Sequence, residues 1–360
     1  MNNMLNFTVG PVQSDKAVRE IGSEQVPYFR TDEFSKTMFE NEGLMKKFVK
    51  AGNDTKVVFL TGSGTASMEA TIMNTLTVKD KALVVNGGSF GQRFVDLLNI
   101  HSIPYEEIKL ESGMGLTLED LAKYEGMPFT AFLVNICETS TGVHYNIDLI
   151  SEFCKRNHLF LIVDAISSFL ANEIDFTKNN IDVFLTGSQK ALACAPGVSI
   201  LVLSQRAVNR IYSIDPRCMY LNLKIALENM KRGQTPFTPA VGILRQLNVR
   251  LKEIEVNGGE EAEIQRVHGL ATYFRKRIKD LPLVLVGNSP SNAVTAVHPS
   301  HVNAYDVFLE LKDNYHIWVC PNGGNLKDKI FRVGHIGDLH CDDYDVLLNA
   351  LHDLNRKGLL

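Results

Sequence analysis

Short apolar runs recur along the first two-thirds of the chain. Each gives way to small or hydroxyl-bearing residues and then, in most cases, to a stretch with helical spacing. The runs cover 57–60 (VVFL), 82–85 (ALVV), 131–136 (AFLVNI), 159–163 (LFLIV), 183–186 (VFLT) and 198–203 (VSILVL). Runs this short and this continuously apolar fit strands covered on both faces, and helices between them predict a mostly parallel sheet. The last two runs lie close together, which leaves room for one antiparallel strand. Helical spacing covers 31–49, where Phe34, Met38, Leu44 and Phe48 recur between charges. It returns from about 64 to 76, from about 92, and over 148–156. The first 25 residues read as extended or irregular, with Gly10-Pro11 as a turn.

Beyond 203 the pattern changes. Pro239 precedes a helix from about 240 towards 255, Gly258-Gly259 breaks it, and a second helix runs to about 278. Strand-like segments follow at 283–286, 294–297, 316–319 and 331–333, with helices at 304–311 and 344–354. The expected architecture is therefore α/β. A large domain over 15–245 carries the parallel sheet, with helices on both faces. A smaller α+β domain covers 246–360, joined by residues 1–14, and a long helix links the two. No internal repeat or low-complexity tract interrupts the chain.

Composition narrows the setting. Hydrophobic residues make up 45% of the 360, enough for a substantial core, and the formal charge of -4 favours no polyanionic partner, so nucleic acid is not expected. The six cysteines are scattered without a CxxC pair, which fits a reducing, cytoplasmic location better than a disulfide framework. The N-terminus lacks a basic-then-apolar signal, and no apolar run reaches membrane-spanning length, so no membrane partner is expected.

The candidate chemistry lies where the apolar runs end. "TGSGTAS" (61–67) joins a strand to a helix. Its small residues let backbone N–H groups crowd an anion, with Ser63 and Thr65 adding hydroxyls. It is neither a P-loop nor a dinucleotide fingerprint, and alone it is equally a capped tight turn. "LIVDAISS" (161–168) ends a strand on Asp164, a carboxylate suited to a cationic ring nitrogen or to helix capping; no His/Asp cluster with ligand spacing supports a metal. "ETSTG" (138–142) offers hydroxyls, Thr139 among them, and "GGSFGQR" (87–93) puts Phe90 where it can stack on a flat group or pack in the core. "LTGSQKALACAPG" (185–197) sets Lys190 between a strand and a small-residue stretch. In a parallel sheet these ends share one edge, where ligands gather. A phosphate cradle, a stacked ring, a carboxylate for a pyridine nitrogen and an amine for an aldehyde together describe pyridoxal 5'-phosphate.

The chain also resembles the class V branch of the fold-type I pyridoxal-phosphate aminotransferases, whose members include alanine–glyoxylate, serine–pyruvate and 2-aminoethylphosphonate–pyruvate aminotransferases. "SGT", "GxFGQR", "ETSTG", "VDAISS", "GSQKAL" and "RVGHIG" occur in the family's order, and Lys190 follows Asp164 by 26 residues. The resemblance covers nearly the whole chain and implies a seven-stranded sheet. It implies that Lys190 holds the cofactor as an imine and then shuttles the proton, and that Asp164 keeps the ring nitrogen protonated. It places Phe90 on the ring, Ser63, Gly64, Thr65 and Gln189 at the phosphate, and Thr139 near the ring hydroxyl. Thr238, in "TPFTPAV" (235–241), would reach the phosphate of a neighbouring subunit, making a homodimer with shared sites. Arg332 would take the substrate carboxylate, and Gly10 would form a substrate-side turn. His335, His144 and Cys194 are expected to serve packing.

The implied reaction moves an amino group from a small amino acid, alanine or serine, to a 2-oxo acid, glyoxylate or pyruvate. The alternative is transfer between 2-aminoethylphosphonate and pyruvate. The segment "VPYFRTDEF" (26–34) departs from the "HRSxEF" of the glyoxylate enzymes, while Arg30 and Arg93 offer charge for a second acidic group. A lyase on the same scaffold is the further alternative. A cysteine desulfurase is disfavoured, because Gln189 rather than histidine precedes the lysine and Cys320 lacks a fitting loop.

Overall fold

Along each central strand, successive side chains enter two different hydrophobic cores. Phe132, Val134, Leu161 and Val163 face one core; Ala131, Leu133, Phe160 and Ile162 face the other. All eight are buried. This explains the unbroken apolar runs: both sheet faces are covered, so neither needs polar residues. Replacing one such leucine by alanine would cost about 2–5 kcal/mol, because the neighbours cannot close the void.

The computed structural model describes residues 4–360; of the expected joining segment 1–14, residues 1–3 lie outside the described residues. In chain order the elements begin with β1 (Leu5–Asn6), α1 (Lys16–Ser23), α2 (Asp32–Phe48), β2 (Lys56–Thr61), α3 (Gly64–Thr75), β3 (Ala82–Asn86), α4 (Ser89–Ile100), β4 (Tyr105–Lys109) and α5 (Leu118–Ala122). There follow β5 (Ala131–Asn135), β6 (Cys137–Glu138), β7 (Val143–His144), α6 (Ile147–Arg156), β8 (Phe160–Asp164), β9 (Val183–Gly187) and β10 (Val198–Leu203). Then come α7 (Gln205–Ser213), α8 (Leu223–Met230), α9 (Val241–Val256) and α10 (Gly259–Arg277). The last are β11 (Leu283–Leu285), β12 (Val294–Pro299), α11 (Ala304–Tyr315), β13 (Ile317–Trp318), β14 (Cys320–Pro321), β15 (Phe331–Gly334) and α12 (Cys341–Arg356).

The large sheet has seven strands in the order β2-β10-β9-β8-β5-β3-β4. Strand β10 is antiparallel to both neighbours, and the other pairs run parallel. This is the α/β class expected, with the close-spaced last strand reversed. The edge strand β4 reads YEEIK and buries only Ile108, so it carries no apolar run to signal it.

The N-terminal region corrects one expectation. Residues 16–23 form α1 rather than an irregular segment. The Asp15 carboxylate accepts from Val18 N at 2.9 Å, capping the helix, and Val18 is fully buried. Ala17, Val18 and Ile21 have helical spacing, but eight residues are too short a window to stand out; a cap and docking hold it.

A second sheet, β11-β12-β15-β14, packs with α10, α11 and α12 around Phe274, Leu311, Phe331 and Leu351. Strand β1 pairs parallel with β13, and Phe7 enters this same core. Helix α9 is continuous through the expected boundary at 245–246, and Leu244 and Leu247 share the large-sheet core. The break between α9 and α10 falls at Gly258, whose φ of 105° is left-handed backbone suited to glycine.

Candidate functional site

Five strand-end loops and the N-terminal segment around Gly10 converge at the edge where the parallel strands end. The loops follow β2, β3, β5, β8 and β9, and with that segment they line a cleft of about 550 Å³, its open mouth included. Gly10, Ser63, Gly64, Thr65, Phe90, Thr139, Asp164, Gln189 and Lys190 all line it. Residues separated by up to 180 positions in sequence thus share one space. Arg332 and Thr238 are not among its lining residues.

Lys190 lies in the turn after β9, buried at 9% exposure. Its Nζ donates a 2.6 Å hydrogen bond to the Val9 carbonyl. Burial pulls the amine down to about 8, below the ordinary lysine range, because desolvation disfavours its charged form. Asp164 ends β8 with 5% exposure, and its Oδ1 accepts from Ile166 N at 2.8 Å. Burial pushes this carboxyl up to about 6, with the Ile166 N–H, Lys190 and Arg93 acting against that rise. A buried amine and a buried acid, each displaced towards neutrality, are suited to proton traffic.

The loop after β2 opens α3. Ser63 stands at the N-cap position but its side chain does not cap the helix, leaving its hydroxyl and the amides of Gly64 and Thr65 for an anion, while the Ala66 amide bonds the Ser63 carbonyl. Gly64 packs against Ile166: a Cβ there would lie 2.2 Å from Ile166 Cδ1, so the isoleucine side chain would have to move. Arg93 donates to Thr65 Oγ1 at 3.1 Å, and its guanidinium carbon lies 4.9 Å from the centroid of the Phe90 ring. Thr139 Oγ1 and Ser167 Oγ share a 2.8 Å hydrogen bond. The buried Oε1 of Gln189 has no hydrogen-bond partner.

Arg332 comes from β15, nine-tenths buried. It donates to the carbonyls of Thr139 at 3.2 Å and Pro321 at 2.7 Å, so the four-stranded sheet reaches the loop that follows β6. Its Nε is buried without a partner. It lines an adjoining open cleft together with Phe90, Ser140 and Asn322.

Thr238 is exposed on this chain. Its segment is held beside the α3 loop by the Ala240 N–H, which donates to Thr61 Oγ1 at 3.1 Å. Arg30 is spent on that same segment, donating to Gln234 Oε1 and to the carbonyls of Thr235 and Pro236. His335 is buried between Thr295 and Tyr344, and Cys194 is buried beside the Leu192 carbonyl.

Sequence reasoning missed Cys137, Ile166 and Ser167 as lining residues, and it gave Glu138 no role. Ser167 was legible in principle, as the first serine of "VDAISS"; nothing in spacing distinguishes it from Ser168. The arrangement offers an aromatic face, a hydroxyl- and amide-rich anion cradle, a carboxyl and an amine around one flat space. That donor set fits pyridoxal 5'-phosphate. Among the described residues no group of three or more His, Cys, Asp or Glu side chains is placed to hold a metal ion.

Known proteins share this frame. An aminotransferase from Methanocaldococcus jannaschii is 32% identical over 330 residues, covering 88% of this chain and 83% of that protein. The 2-aminoethylphosphonate–pyruvate transaminase of Bacillus mycoides is 27% identical, covering 100% of this chain and 99% of that one. The crystal structure of an alanine–glyoxylate aminotransferase from Nostoc superposes with a TM-score of 0.93 at 25% identity, covering 99% of this chain and 96% of that one. The sequence profile described as aminotransferase class-V matches residues 26–324, a span that includes every loop of the cleft except the N-terminal one, so the chain belongs to the class-V aminotransferases.

Proposed function

We propose that the cleft binds pyridoxal 5'-phosphate and that the protein transfers an amino group from a small amino acid, alanine or serine, to glyoxylate or pyruvate. The observation that carries this is Lys190, a buried amine pulled down to about 8, in the same cleft as Asp164 and the uncapped α3 terminus. When bound, the cofactor supplies the aldehyde for an imine and a ring that accepts the electron pair left by proton removal.

The chain's residues do the rest. Ser63, Gly64, Thr65 and Gln189 hold the phosphate, and Phe90 covers one ring face. Asp164 would pair with the ring nitrogen, and a cation there would draw the carboxyl back to its ionised form. Thr139 would serve the ring hydroxyl. Lys190 would hold the cofactor through its amine and, as a neutral amine in the same cleft, would serve as the base that moves the substrate proton. Its lowered basicity leaves a usable fraction of neutral amine near neutral pH. Arg332 binds the substrate carboxylate through a guanidinium whose Nε is still unpaired, and Gly10 shapes the substrate side. Thr238, exposed here, reaches the phosphate of a second subunit in a homodimer. Residues 15–245 act as the cofactor domain and 246–360, with 1–14, as the domain that carries Arg332. The chain is read as cytoplasmic, and no helix among the described residues is long and apolar enough to cross a membrane.

Arg30 bears on the phosphonate alternative. Its guanidinium is engaged by two carbonyls and a side-chain amide. That withdraws one of the two charges available for a second acidic group and supports the small amino acid as donor.

The test is a half-reaction screen on the cofactor-loaded protein. L-alanine, L-serine, 2-aminoethylphosphonate, L-aspartate and L-glutamate are added singly, followed by pyruvate or glyoxylate. Alanine or serine should bleach the visible band of the lysine-bound cofactor, and the oxo acid should restore it. Bleaching by 2-aminoethylphosphonate alone would transfer the assignment to the phosphonate reaction. Product formation without recoverable pyridoxamine phosphate would transfer it to a lyase.

A further inference from the structure

Glu138 is fully buried, one residue before Thr139 in "ETSTG". Its partners are amides and a hydroxyl rather than a cation. Oε2 accepts from the backbone N–H of Phe90 and of Gly91, each at 3.2 Å, and from Asn135 Nδ2 at 2.9 Å. Oε1 accepts from Ser140 N at 3.3 Å and from the Ser140 hydroxyl.

The two backbone donors belong to the first turn of α4, whose N-cap residue Gly88 has no side chain to offer them. A carboxylate is the group best matched to the positive end of a helix. Here it arrives from β6 rather than from the helix's own cap. Space enforces the pairing. A Cβ on Gly88 would lie 2.5 Å from Glu138 Cδ, and one on Gly91 would lie 2.6 Å from the Val85 carbonyl. The first turn of α4 is therefore pinned between β3 and β6. That turn carries Phe90, and Arg93, just beyond it, lies over the Phe90 ring while donating to Thr65.

We propose that Glu138 is a positioning residue: by holding the α4 terminus from β6, it sets the Phe90 ring at the height and tilt needed to cover the cofactor, in register with the neighbouring Thr139. This rests on the proposed reading that Phe90 stacks on pyridoxal 5'-phosphate. Glu138 does not touch the cofactor in this scheme and acts through Phe90.

A double-mutant cycle tests it. Cofactor-stripped wild type, Glu138→Gln, Phe90→Leu and the double variant are titrated with pyridoxal 5'-phosphate. The visible band reports affinity, and its induced circular dichroism reports ring placement. Each single substitution should weaken binding by about tenfold, and Glu138→Gln should cost under about twofold once Phe90 is already leucine. The induced dichroism of Glu138→Gln should fall even at saturating cofactor, which general loosening of the fold would not produce while Lys190 still forms its imine. Losses that simply add, or an unchanged affinity in Glu138→Gln, would overturn the inference and leave the stacking role of Phe90 standing. An unchanged affinity in Phe90→Leu would overturn the stacking role and this inference together. If the glutamine variant does not fold, Glu138→Asp, which keeps the charge but withdraws it by one methylene, enters the same cycle with the same two outcomes.

Discussion

Lys190 and Gly10 are in contact across the two ends of the cleft: a Cβ on Gly10 would lie 2.9 Å from Lys190 Cδ and 3.1 Å from its Nζ. The preceding carbonyl, that of Val9, is the hydrogen-bond acceptor for the same amine. Two residues earlier, Phe7 is buried in the core under the four-stranded sheet, and its carbonyl accepts from Gly334 N at 2.7 Å. A strap about ten residues from the N-terminus thus ties the second sheet to the lysine of the first. The lysine side chain lies so close over Gly10 that a Cβ there would have to displace it.

Gly10→Ala should therefore impair the site more than the fold. Its φ of +134° is a conformation that residues with a Cβ rarely adopt, costing on the order of 1–3 kcal/mol. The methyl must also displace a long lysine side chain. The variant should remain folded, with a lower melting temperature. It should show less visible-band formation per added cofactor and a kcat reduced at least about tenfold, as misplacement of a reacting group predicts. Wild-type kcat and band formation in the variant would show that the contact does not matter.

On the proposed reading, Lys190→Ala removes both the imine partner and the proton shuttle. Ser63, Gly64, Thr65 and Asp164 still line the cleft, so pyridoxal 5'-phosphate should still bind, with the absorbance of free aldehyde rather than that of a lysine imine. Half-reaction rates should fall by roughly 10²–10⁴-fold, the usual range for loss of a general base. An exogenous primary amine should restore part of the rate. Retention of the imine band would mean that another lysine holds the cofactor.

Much of this was legible in the chain, for identifiable reasons. The runs at 131–136 and 159–163 are buried on both faces, and a doubly covered strand must be continuously apolar, so β5 and β8 declared themselves. Strand β4 did not, because an edge strand tolerates Glu106 and Glu107. Helix α1 did not, because one cap and one buried valine hold it. At the site, the strand-end rule gathered Ser63, Thr139, Asp164 and Lys190 without coordinates. Glu138 escaped it, because its importance lies in reaching the amides of Phe90 and Gly91 about fifty residues earlier, a contact no local pattern encodes.

Asp164 makes the cofactor-free protein sensitive to mild acid in a definite direction. An aspartate in an unfolded chain titrates near 3.9, whereas here burial pushes the carboxyl up to about 6. Between those values the folded state holds more protons than the unfolded state. This contribution to stability is therefore present below about pH 4 and is lost as pH rises through about 6; a shift of this size corresponds to about 3 kcal/mol. Lys190 does not confuse the window, since its own pull-down acts between about 8 and the ordinary lysine range. Asp164→Asn keeps an acceptor for Ile166 N but cannot titrate. Denaturant unfolding of the stripped proteins from pH 4 to 6.5 should show wild type losing more stability than the variant. Parallel profiles would show that burial does not shift this group.

Arg332 offers a sharper test of substrate class, because its geometry separates charge from shape. Two of its nitrogens are held by the carbonyls of Thr139 and Pro321, which fix the plane of the guanidinium, and the buried Nε is left without a partner. A carboxylate approaching such a fixed plane gains oriented, charge-assisted bonds. Lysine would keep the charge but not the planar donor set, and it would leave one or both carbonyls without their donors. Arg332→Lys should therefore raise KM for both the amino acid and the oxo acid by about tenfold or more. Affinity for pyridoxal 5'-phosphate, and the visible band, should stay near wild type. Arg332→Ala should extend the KM defect, since the charge is lost as well. If 2-aminoethylphosphonate is the physiological donor, the pattern splits: the KM for pyruvate rises, and that for the phosphonate, which lacks a carboxylate, changes less. A variant that loses cofactor binding instead would place Arg332 in the architecture of the cleft rather than at its substrate.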